Sequence, residues 1–165
     1  SYLDLIERER DRIPDIALST DIIVGFPGET EEDFEQTLSL AETVRYAQAY
    51  TFIYSKRPGT PAAEIDDPTP RVVILERFNR LVHVVETTAN EFNQPDLHHV
   101  VPALIEGTSK KDASILMGKS AKNQTVHAPI PAGYSIDQLV GKIVDIDVDV
   151  ARTWYLSGTV TGDPR

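Results

Sequence analysis

The stretch that decides the fold is Leu18-Ser-Thr-Asp-Ile-Ile-Val-Gly-Phe-Pro-Gly-Glu-Thr30. Its first seven residues are rich in β-branched side chains and predict a strand. Two glycines around a proline predict a tight turn, and Thr30 with Asp33 forms a variant of the capping box that begins a helix. A second strand is predicted from Ala49 to Tyr54. Strand, helix and strand within about 40 residues indicate a right-handed βαβ unit with parallel strands.

Helices are predicted on both sides of this unit. The spacing of Leu3, Ile6 and Ile13 indicates a short helix with one apolar face. A proline-rich connection that includes Pro68 follows the second strand. After this connection the sequence predicts a helix of about 24 residues that ends near Asn93. Two parallel strands do not make a stable sheet, so we expect the rest of the sheet to lie elsewhere. The missing initiator methionine also suggests a fragment, although a processed whole domain is the alternative.

After Pro95 the hydrophobic periodicity changes from helical spacing to alternation. Five short strands are predicted at Val100 to Ile105, Ser114 to Met117, Thr125 to Ala128, Lys142 to Val150 and Thr153 to Val160. About 65 residues in five strands is the size of a small antiparallel β-barrel of the OB-like kind that binds oligonucleotides. We therefore predict two domains, at residues 1–95 and 96–165.

The charge of the chain is uneven, and one residue type is missing. The net charge is −10. Residues 1–95 carry nine Lys or Arg against 18 Asp or Glu, whereas residues 96–165 carry seven against eight. The first part would repel a phosphate backbone, but the second allows a local basic patch. The chain has no cysteine, which excludes disulfides and thiolate-bound metals within it. No apolar run reaches the roughly 20 residues of a membrane span, and we expect a cytoplasmic protein.

Several site types are considered and set aside. The glycine-rich turn resembles a phosphate cradle, but Glu29 and the acids after it would repel an anion. The alternating aspartates from Asp145 to Asp149 lack the later ligands of a calcium loop and are better explained as a solvated strand face. The four histidines do not form a metal set, and no nucleophilic triad is supported by spacing. No catalytic or metal-binding residue is predicted.

Two segments resemble the radical-SAM methylthiotransferase family. They are Asp21-Ile-Ile-Val-Gly-Phe-Pro-Gly-Glu-Thr-Glu-Glu-Asp-Phe34 and Tyr50-Thr-Phe-Ile-Tyr-Ser-Lys-Arg-Pro-Gly-Thr-Pro-Ala62. The start of the second domain, Ala103-Leu-Ile-Glu-Gly107, resembles that family's TRAM domain more loosely. The resemblance implies the last strands and helices of a partial (β/α)6 barrel, followed by a TRAM barrel that binds RNA.

The resemblance also implies cofactors and roles for particular residues. The family uses S-adenosylmethionine and two 4Fe–4S clusters, one forming the radical and the other supplying sulfur. Because this chain has no cysteine for either cluster, we expect it to be inactive alone. The residues expected to border the S-adenosylmethionine pocket are Asp21, Gly25, Phe26, Pro27 and Gly28. Those expected at the substrate mouth are Tyr54, Arg57 and Gly59, although a solvated Arg57 is an equal alternative.

The substrate implied by the resemblance is a modified adenosine next to the anticodon of a tRNA. An isopentenylated adenosine is favoured, and threonylcarbamoyladenosine, the substrate of another branch, is the alternative. The run Arg57-Pro-Gly-Thr60 favours tRNA over the ribosomal-protein substrate of another branch of the family. The ribosomal-protein enzyme, a non-enzymatic RNA-binding module and a barrel that only docks a protein are the alternatives. The expected partners are a tRNA anticodon stem-loop and the N-terminal part of the same protein.

Two further hypotheses concern surfaces. We expect loops of the barrel to converge into one basic patch formed by Lys110, Lys111, Lys119 and Lys122, with solvated lysines as the alternative. A lone tryptophan in a small barrel is usually a core residue, so Trp154 is predicted to be buried, with stacking on an RNA base as the alternative. The partial sheet is expected either to pair with a second copy or to be covered by the long helix.

Overall fold

The computed structural model of the chain describes residues 1–66 and 69–165, so Asp67 and the predicted linker residue Pro68 lie outside the described residues. The described residues form two compact units, Ser1–Ala89 and Asn90–Arg165. The sequence predicts a domain boundary after Pro95, whereas the two units divide between Ala89 and Asn90, in the last turn of the long helix. No helix within residues 1–66 and 69–165 is both long and apolar enough to cross a membrane.

The first unit contains the βαβ motif that the sequence predicts. Its elements are α1 (Tyr2–Arg12), β1 (Ser19–Val24), α2 (Glu31–Val44), β2 (Gln48–Ile53), a 3-10 turn (Pro61–Glu64) and the greater part of α3 (Arg71–Asn93). Strands β1 and β2 are parallel, with Ser19 opposite Gln48 and Val24 opposite Ile53. The predicted strand, helix and strand are therefore confirmed, as is the direction of the pairing.

Helix α2 begins where the capping box predicts. The Thr30 side chain accepts a hydrogen bond from the Asp33 amide at 3.1 Å, and Asp33 Oδ2 accepts from the Thr30 amide at 3.0 Å. These two bonds satisfy donors that the first turn of a helix otherwise leaves without partners. The helix ends at Arg45, which has a left-handed φ of 52°. Residues 25–30 are thereby fixed as a short connection between β1 and α2.

The helices of the first unit cover one face of its sheet. Val24, Phe34 and Leu81, from β1, α2 and α3, are fully buried in one apolar cluster. The long helix therefore covers this face, as one of the two hypotheses proposed, while pairing with a second copy stays a prediction. On the other face Ile23 and Phe52 are about half exposed. This open face is a candidate binding surface, because apolar side chains on it remain exposed to solvent.

The apolar face predicted for α1 is only partly correct. Ile6 is buried in the core of the first unit, but Leu3 is 38% and Ile13 is 52% exposed. The helix is short, and Ile13 lies beyond its last residue, so only its middle contacts the cluster.

The second unit is a closed five-stranded barrel. Its elements are β3 (Val100–Thr108), β4 (Ile115–Ser120), β5 (Thr125–Pro129), α4 (Ile136–Leu139), β6 (Ile143–Ala151) and β7 (Leu156–Thr161). The order around the barrel is β3-β4-β5-β7-β6. Four pairs are antiparallel, but β5 and β7 are parallel, so the expectation of an antiparallel barrel is wrong at this pair. After the connection through α4, the β6–β7 hairpin brings β7 back beside β5 in the same direction.

The barrel core is aliphatic and requires two glycines. Its fully buried side chains include Leu116, Leu139, Ile146 and Leu156, and outward residues alternate with inward ones. A Cβ at Gly158 would lie 1.9 Å from the Asp147 carbonyl oxygen, so no larger residue fits where β6 and β7 cross most closely. At Gly118 on β4 the corresponding distance to the β3 backbone is 2.4 Å.

Candidate functional site

A pocket opens at the carboxyl ends of β1 and β2, on the uncovered side of the sheet. It has a volume of about 590 Å³ and is lined by residues that include Asp21, Ile23, Phe26, Phe52, Tyr54 and Arg57. The carboxyl ends of parallel strands are where α/β proteins bind ligands, since the loops that follow the strands meet there. This pocket is therefore the candidate site of the first unit.

The pocket brings together four of the eight residues expected at the S-adenosylmethionine pocket and the substrate mouth. Asp21, Phe26, Tyr54 and Arg57 line it. The other four predicted residues are absent from its lining: Gly25 and Pro27 are buried behind the turn, and Gly28 and Gly59 are exposed. The binding roles of all eight residues remain predictions.

Sequence reasoning missed the apolar floor of the pocket, which Ile23 and Phe52 provide. They lie directly opposite each other on β1 and β2. The alternation of the strands was the available signal, because Val24 and Ala49 face the core and their neighbours must face the other way.

Tyr54 combines an aromatic contact with an unsatisfied polar atom. Its ring meets the edge of Phe26 at 5.2 Å between centroids, with 66° between the planes. Its backbone amide donates to the Val24 carbonyl at 2.9 Å, which fixes the residue just beyond β2. Among the described residues, Tyr54 Oη is buried and has no hydrogen-bond partner. A buried hydroxyl without a partner destabilises a protein unless a ligand or water satisfies it, so this atom points to a ligand.

The turn behind the pocket is held by a buried ion pair. Glu29 Oε1 accepts a hydrogen bond from the Gly25 amide at 3.1 Å. Arg77 of α3, only 5% exposed, donates from Nη1 to the Glu29 carbonyl at 3.0 Å and lies 3.5 Å from Glu29 Oε1. Its Nε also donates to Glu31 Oε2 at 2.8 Å. One side chain of α3 thus contacts both the backbone and the carboxylate that shape the turn.

The acidic start of α2 is neutralised by arginines of the first unit. Arg80 contacts Glu31 at 2.8 Å and also pairs with Glu35. Hydrogen bonds from Arg80 and then Arg77 lower the pKa of Glu31 below its usual range. Of the acids that argue against a phosphate cradle, Glu29 and Glu31 are therefore paired with arginines of α3, whereas Asp33 is bonded to Thr30.

Gly25 requires the absence of a side chain. Its φ is +74°, and a Cβ there would lie 2.7 Å from Cγ2 of Ile74 on α3. Gly28 also has a positive φ, of +88°, but no atom lies within 4 Å of its missing Cβ. Both glycines meet the conformational demand of the turn, and only Gly25 also meets a packing demand.

Arg77 is the positioning residue that sequence reasoning overlooked. It lies four residues before Leu81 and three after Ile74, on the same side of α3 as these apolar residues. An arginine at core spacing in an amphipathic helix was the available signal, because a charge at such a position is buried only when it has partners.

The four lysines of the barrel do not form one patch. Lys110 and Lys111 lie in the loop between β3 and β4, whereas Lys119 and Lys122 lie at the end of β4 and in the turn after it. These positions are at opposite ends of a six-residue strand, about 20 Å apart. The hypothesis of convergence is therefore wrong, because the loops that precede and follow one strand lie at its two ends. Binding of RNA by each lysine stays a prediction.

The prediction for Trp154 is also wrong. Its side chain is 49% exposed, in the loop between β6 and β7. The core cluster of the barrel consists of aliphatic residues instead. Among the residues that the structure describes, no group of three or more His, Cys, Asp or Glu is placed to hold a metal ion.

Comparison with known proteins identifies close relatives of the chain. No family model matches it. It is 45% identical over 159 residues, 96% of its length, to a tRNA-2-methylthio-N(6)-dimethylallyladenosine synthase of Acetivibrio thermocellus. Proteins of the same name from Alkaliphilus oremlandii and Geobacillus thermodenitrificans are 46% identical over 161 residues and 43% identical over 162 residues. These matches cover 97% and 98% of the chain. The chain spans about a third of the length of these curated relatives.

Proposed function

Because this chain is, over nearly its whole length, a homologue of tRNA methylthiotransferases, we propose that the whole protein to which it contributes adds a methylthio group to tRNA. The substrate is N6-dimethylallyladenosine next to the anticodon. The observation that carries the proposal is 43–46% identity to enzymes of that name across 95–98% of the chain. The names of these relatives favour tRNA over a ribosomal protein as the substrate.

In this function the pocket at the ends of β1 and β2 forms one wall of the active site. Asp21 supplies a carboxylate, Arg57 a cation, and Phe26 with Tyr54 an aromatic wall. A ligand with an adenosine ring and a charged amino-acid group suits this combination, and the unpartnered Tyr54 Oη offers it a hydrogen bond. These residues fit S-adenosylmethionine or the modified adenosine. When bound, S-adenosylmethionine supplies the radical chemistry and the methyl group.

The iron–sulfur clusters do not fit the residues of this chain. A 4Fe–4S cluster is held by cysteine thiolates, and the chain has none. The ligands would come from another part of the protein, and we expect the 165-residue chain to be inactive alone. What its own residues do is shape the pocket, orient the ligand through Arg57 and Tyr54, and hold the turn that carries Phe26.

The barrel of the second unit binds the tRNA in this proposal. A closed five-stranded barrel with the order β3-β4-β5-β7-β6 supports it, since OB-like barrels bind oligonucleotides on strands and loops of this kind. The charge distribution also supports it, because the acidic excess of the chain lies mostly before residue 96.

The proposal is tested by nucleoside analysis of tRNA. We expect deletion of the gene to abolish 2-methylthio-N6-dimethylallyladenosine in total tRNA digests and to leave N6-dimethylallyladenosine in its place. Restoring the gene should restore the methylthio nucleoside. Unchanged tRNA in the deletion strain, together with loss of a methylthio group from a ribosomal protein, would assign the protein to the ribosomal-protein branch of the family.

A further inference from the structure

Two aromatic rings contact each other on the outside of the barrel. His127 on β5 and Tyr155, just before β7, have centroids 5.5 Å apart and planes tilted by 59°. Tyr155 is 38% exposed, and the neighbouring Trp154 is 49% exposed. The barrel core is complete without these rings, since aliphatic residues fill it. Large exposed aromatic side chains that a core does not use are characteristic of binding surfaces.

A lysine lies on the same outward face as His127. His127 is opposite Met117 on β4, and Lys119 is opposite Thr125, two residues before His127. The residues between them, Gly118 and Val126, are buried, so Lys119 and His127 both face outward. Lys119 Nζ donates a hydrogen bond to Thr125 Oγ1 at 2.9 Å, which holds its ammonium group against β5, two residues along the strand from His127. We define the aromatic face as Lys119, His127 and Tyr155.

The strands that carry this face contain no acidic residue. Strands β4, β5 and β7, all within the described residues, have no Asp or Glu. The acids of the barrel strands lie instead on β3, at Glu106, and on β6, at Asp145, Asp147 and Asp149. In a chain of net charge −10, three adjacent strands without a carboxylate form a surface that a polyanion can approach.

The loop that carries Trp154 and Tyr155 is anchored. Asn93 Nδ2 donates to the carbonyl of Arg152 at 2.7 Å and to that of Thr153 at 3.2 Å. The same Asn93 accepts from Gln124 in the β4–β5 turn at 3.0 Å. The loop and the turn therefore lie at the same end of the barrel and are held by one residue. Because the loop is already anchored, it loses less conformational entropy when a ligand binds to it.

We propose that the aromatic face binds an unpaired stretch of RNA, with one base stacked on Tyr155 beside His127 and a phosphate at Lys119. This inference rests on the proposed function, in which the barrel receives a tRNA, and it names the surface and the part of the RNA. Aromatic side chains stack on any base, and a flanking lysine contacts the backbone. An unpaired anticodon loop offers both groups, whereas a duplex keeps its bases stacked on each other.

The proposal is tested by fluorescence anisotropy of the 165-residue chain with a labelled anticodon stem-loop RNA at several salt concentrations. Tyr155→Ala is expected to weaken binding about tenfold, with an unchanged salt dependence, because it removes stacking. Lys119→Gln is expected to lower the slope of log K against log salt by about 0.7, because it removes one phosphate contact. The matched control is Tyr134→Ala, since Tyr134 is 39% exposed but lies before α4. It should bind as the wild type does.

A second readout reports stacking itself. A 2-aminopurine placed in the loop of the RNA should be quenched on binding to the wild type and to Tyr155→Phe, but not on binding to Tyr155→Ala. Wild-type affinity and quenching in both Tyr155→Ala and His127→Ala would overturn the proposal. So would an absence of RNA binding by the wild-type chain, including the case in which the face captures a protein instead. The nucleoside analysis described above is independent of these results, so either idea can fail without the other.

Discussion

Nη1 of Arg77 donates a hydrogen bond to the backbone carbonyl of Glu29 at 3.0 Å, and this contact joins α3 to the turn behind the pocket. Glu29 in turn accepts the Gly25 amide, so the backbone of the turn is held at both of its ends. Phe26, which lines the pocket and contacts Tyr54, lies between these two points. The shape of the pocket therefore depends on a side chain that does not line it.

Loss of the Arg77 guanidinium should destabilise the first unit. Arg77→Met leaves the carboxylate of Glu29, whose side chain is only 12% exposed, without its cation. We expect the free energy of unfolding to fall by about 3 kcal/mol, as for other buried pairs that lose one partner. Urea unfolding followed by circular dichroism of the helices measures this change. The control is Arg80→Met, whose side chain is 34% exposed and does not contact the turn, and whose loss should be much smaller. Equal losses in the two variants would show that the burial of Arg77 has no special role.

A side chain at Gly25 should disturb the turn more than one at Gly28. Both residues have positive φ, which a non-glycine residue adopts at a cost of about 1–2 kcal/mol. Only Gly25→Ala adds a contact of 2.7 Å with Ile74. We therefore expect Gly25→Ala to unfold at a clearly lower urea concentration than Gly28→Ala. Similar midpoints would mean that α3 yields to the methyl group and that the packing of Ile74 does not constrain the turn.

The unpartnered hydroxyl of Tyr54 predicts opposite effects on stability and function. Tyr54→Phe removes a buried Oη that has no hydrogen-bond partner among the described residues. The free protein should keep its stability or gain up to about 1 kcal/mol, because an unsatisfied polar group is removed. Methylthiolation of tRNA by the full-length variant should nevertheless decrease, because the ligand loses a hydrogen bond. A stability loss with normal modification would identify the hydroxyl as a structural group.

Partial burial of the outward-facing His127 should make the stability of the barrel depend on pH. Desolvation lowers the pKa of His127 below its ordinary value of about 6.5. Between the folded pKa and about 6.5 the unfolded chain binds more protons than the folded one, so stability falls as the pH falls through this window. Proton NMR of the imidazole signals, with His127→Gln to assign them, gives the folded pKa directly. A pKa above 6.5 would mean that the ring is not desolvated, and would contradict its burial beside Tyr155.

The parts of the fold that depend on local sequence were predictable. The capping box at Thr30 set the start of α2, and alternation located all five barrel strands. The parallel pairing of β5 with β7 was not predictable, because it depends on how the chain crosses the end of the barrel between Pro129 and Ile143. The four-residue helix α4 is too short to show a period.

Pocket residues that follow a strand in the sequence were predictable, whereas residues whose role depends on tertiary contacts were not. Tyr54 is the first residue after β2, and Phe26 is the second residue after β1. Their place in the pocket therefore follows from the order of elements. Arg77 is 48 residues from Glu29, and its pairing could not be inferred from spacing alone. The lysines were grouped by their distance along the chain, but successive loops lie at opposite ends of β4. The sequence predicts a buried Trp154 because tryptophan is usually buried. The core of the barrel consists of aliphatic residues, and Trp154 lies outside it.

In the proposed function, the pocket at the ends of β1 and β2 belongs to the active site of a tRNA methylthiotransferase. The most direct measurement is the ratio of 2-methylthio-N6-dimethylallyladenosine to N6-dimethylallyladenosine in tRNA, by mass spectrometry, from cells whose only copy of the gene carries Phe26→Ala. Phe26 is 47% exposed, so its loss should not unfold the protein, and Leu75→Ala, at a residue 40% exposed on α3, is the control. We expect the ratio to fall at least about tenfold in Phe26→Ala, because the ligand loses an orienting wall, and to be unchanged in Leu75→Ala. A wild-type ratio in Phe26→Ala cells would contradict the claim.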